Sequence, residues 1–322
     1  MDNIAKSLLC RALKLYDLKQ PESEFIRHNE NIIYKITDIN KKYVLRIYKS
    51  AGGFSPTAYS DYNHNKLIQS EVEIIAALKN NTKIPMQTPV CGLDGSFVQS
   101  VDNIPITLLE WVDGEDVHTA GRTPEILYNG GKMIAEMHSF FSSKGELIKN
   151  YKRYNYDGTV IPKISERIEN SASFNIIKLE QAKIILAALN EMRKRFNELD
   201  NMQEKHIIHA DLGGANMIVD KNGRLSPIDF SLCGYGHFYM DINMFNGDLK
   251  FSRDIIEGYK SIRNCEIIPR YMEPYVALGF VLYISYQDER AKAWDWFPNT
   301  IENMCRDCFK PLADTKAFIT IK

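Results

Sequence analysis

The alternation of apolar and polar residues changes character partway along the chain. In the first part, short apolar runs alternate as in β-strands and are separated by polar turns, and two further stretches carry apolar residues at helical spacing. Two candidate hairpins and two amphipathic helices follow from this pattern, at residues 31–48, 97–112, 3–18 and 65–78 respectively. We therefore predict a small, β-rich lobe over about the first 112 residues.

The rest of the chain is dominated by helical patterns. The longest predicted helices cover residues 124–140, 176–199, 271–290 and 299–318. The β-signals here are confined to one hairpin, residues 217–228, whose two apolar runs flank the turn Lys221-Asn222-Gly223. The predicted fold class is thus α+β, with an N-terminal lobe of residues 1–112 and a C-terminal lobe of residues 113–322.

Composition and charge narrow the class of protein. The 322 residues are 44% hydrophobic and 25% charged, which is typical of a globular protein with a large core. The net charge of −1 gives no electrostatic reason to expect nucleic acid or a membrane as partner. The N-terminus lacks a secretory pattern and the six cysteines are scattered, so we expect a cytoplasmic protein. Cys305 and Cys308 lack the further ligands of a zinc site, and we interpret them as two thiols on a C-terminal helix.

The candidate chemistry begins with the run from His209 to Asn216. Asp211 and Asn216 have the spacing of a kinase catalytic loop, where the aspartate accepts the hydrogen bond of a substrate hydroxyl and the asparagine holds magnesium. The hairpin that follows should return Asp229 to the side of Asn216. Two oxygen ligands beside a candidate base suit a hard cation that bridges phosphates. The alternative is a capped turn, in which Asp211 and Asn216 bond only local backbone.

These motifs resemble those of the aminoglycoside phosphotransferase and choline kinase-like family. The resemblance rests on His-x-Asp-x-x-x-x-Asn at residues 209–216, Ile-Asp-Phe at residues 228–230, and Asp241-Ile242. It implies a two-lobed, protein-kinase-like fold and phosphorylation of small molecules. It also implies that Asp241 braces the catalytic loop and that His209 is structural, although a general-base role for His209 stays open.

The resemblance extends to the nucleotide half of the site. Arg46 stands where kinases carry a strand lysine, and Glu71 matches the helix glutamate that pairs with it. Glu71 shares the apolar face of its helix, so it should point inward and need a cation as partner. The loop at residues 27–31 would cover the phosphates without a glycine, with Asn31 as a candidate contact. Residues 109–112, with Glu110 and Val112, resemble the hinge that binds the base of ATP or GTP.

The acceptor is not identified by these motifs. Tyr286, Trp294 and Asp295 lie where relatives line the acceptor pocket, and aromatic rings with carboxylates can hold an amine. Packing of the same rings into the core is an equal alternative. We predict a magnesium-dependent phosphotransferase that uses ATP or GTP and a small-molecule hydroxyl acceptor such as an amino alcohol or amino sugar. A non-catalytic nucleotide-binding module is the alternative, and the oligomeric state is not indicated.

Overall fold

An antiparallel sheet forms the first part of the chain in the computed structural model, which describes residues 3–29, 31–50, 59–287, 291–292 and 294–322. The sheet has six strands in the order β1-β2-β3-β6-β4, and β5 also pairs with β6. The strands are β1 (Pro21–His28), β2 (Ile32–Asp38), β3 (Lys41–Ile47), β4 (Pro89–Val90), β5 (Val98–Val101) and β6 (Ile104–Glu110). Two helices accompany the sheet, α1 (Asn3–Leu13) and α2 (His64–Asn81).

The two faces of this sheet pack against different helices. Successive side chains of a strand point to opposite faces, so β3 contributes to both sides. Tyr43, Leu45 and Ile47 join an apolar cluster with α1. Arg46 lies between them in sequence and therefore points to the opposite face, where it reaches α2. Because side chains alternate along β3, Arg46, the buried cation of this strand, lies on the side of the sheet that faces α2.

The remaining elements form a mainly helical part. Its helices are α3 (Val117–Ala120), α4 (Pro124–Lys144), α5 (Ile161–Ser173), α6 (Leu179–Asp200), α7 (Tyr239–Asn246), α8 (Arg253–Lys260), α9 (Pro269–Tyr286), α10 (Phe297–Met304) and α11 (Lys310–Ala313). A π-helical turn, Cys305–Phe309, joins α10 to α11. Among the described residues, no helix combines the length and apolar sequence that a membrane crossing requires.

Short strands lie between these helices. They are β7 (Glu115–Asp116), β8 (Tyr154–Asn155), β9 (His206–Ile208), β10 (Met217–Val219), β11 (Leu225–Pro227), β12 (Gly234–Gly236), β13 (Lys250–Phe251) and β14 (Thr320–Ile321). The antiparallel pair β10–β11 is the hairpin that follows the candidate catalytic loop. β9 pairs with β12, so the strands on either side of that hairpin lie next to each other.

A buried group of charges joins α6 to α9. Arg195 donates to Glu191 at 3.0 Å and to Glu273 at 2.6 Å. It also donates to the carbonyl of Arg270 at 3.1 Å. That carbonyl lies four residues before Pro274, which has no N–H to donate within the helix. Arg195 therefore supplies the hydrogen bond that the proline removes, and the helix continues through it.

The architecture confirms the predicted α+β fold with an antiparallel N-terminal sheet, and all three predicted hairpins form. Some predicted bounds were wrong: the first helix ends at Leu13 rather than residue 18, and the last helical run ends at Ala313 rather than residue 318. The prediction that β-structure in the second part is confined to one hairpin was also wrong, since β8, β9 and β12 form a further small sheet. The predicted boundary between residues 112 and 113 stays a prediction.

Candidate active site

The loop after β9 brings Asp211 and Asn216 into direct contact. The side-chain nitrogen of Asn216 donates to the backbone carbonyl of Asp211 at 2.9 Å and to its Oδ2 at 2.8 Å. Both bonds use the amide nitrogen, so the amide oxygen of Asn216 is the atom with which it would contact a cation. The five-residue spacing therefore holds a carboxylate and an amide oxygen in a fixed relation at the end of a buried strand.

The β10–β11 hairpin returns the chain to the same place. The N–H of Ile228 donates to the carbonyl of Asn216 at 2.9 Å, which brings the next residue, Asp229, beside this loop. Asp229 has a left-handed backbone, with φ of 62°. Such a conformation is uncommon outside glycine and concentrates at functional sites. The ring of Phe230 then packs on His209, with ring centroids 4.4 Å apart.

Asp241 holds the backbone of the loop in place through two hydrogen bonds. Its Oδ2 accepts the N–H of His209 at 2.9 Å, and its Oδ1 accepts that of Ala210 at 2.7 Å. Ala210 has a left-handed backbone, with φ of 65°, which costs an alanine about 1–2 kcal/mol. Burial raises the pKa of Asp241, but the bond from His138 and the charge-favouring backbone donors bring it below its usual value. The ionised carboxylate thus fixes the strained residue just before Asp211.

The two buried histidines near this carboxylate are both neutral. Nε2 of His209 faces the carbonyl of Ile228 at 3.0 Å, so it carries the proton, and Nδ1 accepts the N–H of Asp211 at 3.3 Å. Nε2 of His138 donates to Asp241 at 2.8 Å. Burial lowers the pKa of both rings. Both ring nitrogens of His209 are thus hydrogen-bonded to the backbone of the loop and hairpin.

Arg46 lies between the buried carboxylate of Glu71 and the partly buried carboxylate of Asp229. Its Nη1 is 2.9 Å from Oε1 of Glu71 and 3.4 Å from Oδ1 of Asp229. The side chains of Arg46 and Glu71 are only 6% and 3% exposed, so this pair is shielded from solvent. Burial raises the pKa of Glu71 even beside Arg46. Burial also raises the pKa of Asp229, but Arg46, a hydrogen bond with Ser231 and the charge of Arg27 together outweigh burial, and the net pKa is lowered. One arginine thus links the sheet, α2 and the hairpin.

Arg27 is a member of the site that the sequence did not single out. Its Nη2 donates to Oδ2 of Asp229 at 3.2 Å, and its side chain is 51% exposed. The two oxygens of Asp229 therefore face one arginine each, Arg46 and Arg27. The sequence marks Arg27 only as part of the predicted phosphate-covering loop, and no local signal indicates a contact with a residue 202 positions away.

Arg153 is a second residue that sequence reasoning missed. Its buried guanidinium donates to four backbone carbonyls, those of Leu67, Phe230, Ser231 and Cys233. Leu67 belongs to α2, the helix that carries Glu71, and the other three follow Asp229 directly. Arg153 therefore ties the helix of Glu71 to the segment of Asp229. Nothing in its neighbourhood, Tyr151-Lys-Arg-Tyr154, distinguishes it from a surface arginine.

The remaining predicted residues lie at the edges of the site. Asn31 follows the turn between β1 and β2, and its carbonyl accepts the N–H of Asn29. Glu110 ends β6, and Val112 follows where the chain leaves the sheet. Trp294 and Asp295 are exposed, although the ring of Trp294 also contacts the buried Phe297. Tyr286 ends α9, and its side chain lies outside the described part of the chain. The roles assigned to all of these residues stay predictions.

The described residues suit a magnesium ion that is also bound by phosphates, rather than one bound by protein side chains alone. No group of three His, Cys, Asp or Glu side chains suited to a metal occurs among them. Magnesium, however, commonly takes one or two carboxylates and completes its shell with phosphate and water. Asp229 and Asn216 supply two such oxygens. The guanidinium of Arg27 already lies against Oδ2 of Asp229, which shows that this oxygen faces outward to a cation.

A β-rich lobe and a helical lobe, with this loop and hairpin beside a buried Arg–Glu pair, define the class as a protein-kinase-like fold. The family model of phosphotransferase enzymes, APH, matches residues 24–259. The chain therefore belongs to this family, and the resemblance inferred from the sequence is confirmed. None of the curated proteins compared with the chain matches it in sequence.

Solved structures share the fold over nearly the whole chain. A microcompartment-associated aminopropanol kinase is similar with a TM-score of 0.74 and 19% identity, covering 97% of this chain and 99% of that chain. A spectinomycin phosphotransferase solved with ADP and spectinomycin has a TM-score of 0.67 and 14% identity, covering 95% and 98%. A kanamycin-binding aminoglycoside phosphotransferase solved with GDP has a TM-score of 0.66 and 15% identity, covering 95% and 98%. At these identities the likeness shows the fold alone.

Proposed function

We propose that this protein transfers the terminal phosphoryl group of a nucleoside triphosphate to a hydroxyl group of a small molecule. The observation that carries the proposal is that Asp211, Asn216 and Asp229 lie together beside the buried pair of Arg46 and Glu71. A base, two metal ligands and a phosphate-binding cation are the parts that phosphoryl transfer requires. Membership of the phosphotransferase family supports the same reaction.

Asp211 acts on the acceptor in this mechanism. Its carboxylate orients the acceptor hydroxyl and accepts its proton as the hydroxyl oxygen forms a bond to the terminal phosphorus. The bond from that phosphorus to the bridging oxygen breaks, and the nucleoside diphosphate leaves with the electron pair. The bonds that Asn216 and Asp241 make to the loop keep Asp211 in position, so the residue needs no rearrangement during the step.

Asn216, Asp229 and Arg46 act on the donor. The two oxygen ligands would hold Mg²⁺, which when bound neutralises phosphate charge and fixes the donor. Arg46 contributes a permanent charge on the other side of Asp229, and Glu71 keeps its guanidinium in one orientation. Among proteins of similar fold, one was solved with ADP and another with GDP. ATP is the donor we propose, with GTP as the alternative.

A transfer assay tests this proposal. The purified protein is incubated with Mg²⁺ and terminally labelled ATP or GTP, together with a panel of neutral alcohols, amino alcohols and amino sugars. We expect label to move to at least one acceptor and the transfer to stop when Mg²⁺ is chelated. A protein that binds nucleotide but transfers label to no acceptor and to no water would instead be the non-catalytic module.

Removal of the Arg27 side-chain charge should alter two binding constants in opposite directions. In Arg27→Gln we expect the donor nucleotide to bind about two- to fivefold more weakly, as for the loss of one exposed ionic contact. The reason is that a cation at Oδ2 displaces Arg27, whose guanidinium then lies next to the phosphates. Without Arg27, a divalent ion should bind the nucleotide-free protein more tightly, because the competitor for Oδ2 is gone. Titration calorimetry with nucleotide, and with Mn²⁺ alone, measures both.

Arg11→Gln is the matched control for this experiment. Arg11 is also an exposed arginine of the first lobe in an ion pair, but with Asp102, away from the site. Neither constant should change in this variant. If Arg27→Gln likewise leaves both constants unchanged, the contact with Asp229 has no role in donor binding.

A further inference from the structure

A cavity of about 230 Å³ opens directly beside Asp211. Ala210 and Asp211 line it together with residues of α7 and α9. The cavity is smaller than the roughly 300–1,000 Å³ of typical ligand pockets, so it accommodates the reacting end of an acceptor rather than a whole antibiotic. Under the proposed function, it is where the hydroxyl-bearing group would lie, and the inference below rests on that function.

The walls of this cavity are apolar. Its described lining side chains include Leu232, Met240, Met244 and Leu282. Among the lining residues that the structure describes, Asp211 is the only charged one. Tyr156 donates its hydroxyl to the carbonyl of Leu232, so that polar group is satisfied within the protein. Among the described lining residues, an ammonium group placed here would find no carboxylate other than the proposed base to offset the loss of its hydration.

Gly279 of α9 keeps this cavity open. A Cβ added at this position would lie 3.3 Å from Sδ of Met244, which also lines the cavity. That distance is tight, but the thioether is the flexible end of a side chain and can move for one added carbon. A larger side chain would project into the space beside Asp211. Gly279 is therefore a position at which cavity size can be changed without touching the catalytic loop.

An exposed group of aromatic rings continues the cavity outward. Tyr283 lines the cavity and lies 6.2 Å, between ring centroids, from Trp296. Trp296 stacks on Trp294 at 5.4 Å. Tyr283 is 36% exposed, Trp294 is 37% exposed and Trp296 is 47% exposed. Large rings with this much exposed surface next to a pocket mark a binding surface for apolar or planar groups.

We propose that the acceptor is a neutral alcohol with a predominantly apolar body, whose hydroxyl end enters the cavity beside Asp211. A larger body would continue onto the rings of Tyr283, Trp294 and Trp296. A small amino alcohol, the alternative acceptor, would place a cation against walls of leucine and methionine. The apolar walls of the cavity favour an uncharged reacting end, and the exposed rings favour a flat or apolar body.

Pairs of acceptors matched in size test this inference. n-Butanol carries a methyl group where propanolamine carries an ammonium group. Phenylpropanol has in addition a ring that can contact Tyr283, Trp294 and Trp296. We expect kcat/KM to be at least about tenfold higher for n-butanol than for propanolamine, the scale of discrimination that apolar pockets provide. Phenylpropanol should exceed n-butanol. Donor affinity and slow hydrolysis of the donor by water are measured in parallel.

Substitutions at two positions change the cavity in defined ways. Gly279→Leu should lower kcat/KM for n-butanol about tenfold or more, and Gly279→Ala should change it much less. Met244→Glu adds a carboxylate to the wall and should move the preference toward propanolamine. Donor affinity and the unfolding midpoint are the checks that each variant is folded.

The outcomes separate this inference from the proposed function. Transfer that favours propanolamine or an amino sugar over n-butanol in the unmodified protein would overturn the apolar acceptor and leave the phosphotransferase intact. Full transfer to n-butanol by folded Gly279→Leu would show that the acceptor does not use this cavity. A protein that neither transfers to any acceptor nor hydrolyses its donor would refute the proposed function itself.

Discussion

Replacement of Asp211 with asparagine should lower kcat for phosphoryl transfer about 100- to 10,000-fold, the range that a positioned general base contributes. The amide cannot take the proton of the acceptor hydroxyl. It can still accept the hydrogen bond from Asn216, whose other bond goes to the backbone carbonyl of residue 211. The loop should therefore keep its shape. The measurement is kcat at saturating acceptor, together with the dissociation constant of the donor, which we expect to change little because Arg46 and Asp229 are untouched.

Asp314→Asn provides the comparison for this substitution. Asp314 is exposed and pairs only with Lys316 near the end of the chain, so the same chemical change there should leave kcat unaltered. A kcat of Asp211→Asn within about tenfold of the unmodified protein would contradict the base assignment, since it falls below the range for general-base catalysis. A parallel loss of donor binding would indicate that the loop had collapsed, which contradicts the positioning argument.

The hairpins of the fold were predictable because short apolar runs flank polar turns in the sequence. β2 and β3 alternate between the cluster under α1 and the face toward α2, and this alternation is visible in the sequence. β1 has no such pattern, since its side chains from Glu22 to His28 are exposed. It is held at the sheet edge by pairing with β2. Backbone pairing of an edge strand leaves little trace in the order of side chains.

Helix ends were less predictable, for a related reason. Leu15 and Leu18 continue the apolar spacing of α1 and pack on the same cluster, although the helix itself ends at Leu13. The chain passes through turns there, with Leu15 N–H bonded to Ala12 and Tyr16 N–H to Leu13. Apolar periodicity reports which residues are buried. It does not report whether their backbone is still helical.

The candidate site also contains contacts that local sequence patterns predict and contacts that they do not. The contact of Arg46 with Glu71 follows from local patterns, because a strand residue and a helix residue each point to a face that the sequence defines. The order of Asp211, Asn216 and Asp229 is equally local, since one short hairpin connects them. Arg27 and Arg153 instead act through partners far away in the chain. Their long side chains reach backbone or carboxylate oxygens whose position depends on the completed fold.

Among single substitutions of buried side chains in this site, we expect Arg153→Met to lower the stability of the protein most. Methionine fills similar space, but four backbone carbonyls would lose the hydrogen bond from Arg153. We expect the free energy of unfolding to fall by about 3–5 kcal/mol, comparable to the loss of one partner of a buried ionic contact. Denaturant unfolding followed by far-ultraviolet circular dichroism measures this change.

Comparison with two other arginine variants identifies the cause. Arg270 forms an exposed pair with Glu198, so Arg270→Met should cost less than about 1 kcal/mol. Arg153→Lys keeps a buried charge but replaces the planar fork with three donors on a single nitrogen, and should lie between the other two. Because the four carbonyls belong to α2 and to the segment after Asp229, Arg153→Lys should also weaken donor binding. If Arg153→Met lowers the free energy of unfolding no more than Arg270→Met does, α2 and the Asp229 segment stay together without this arginine.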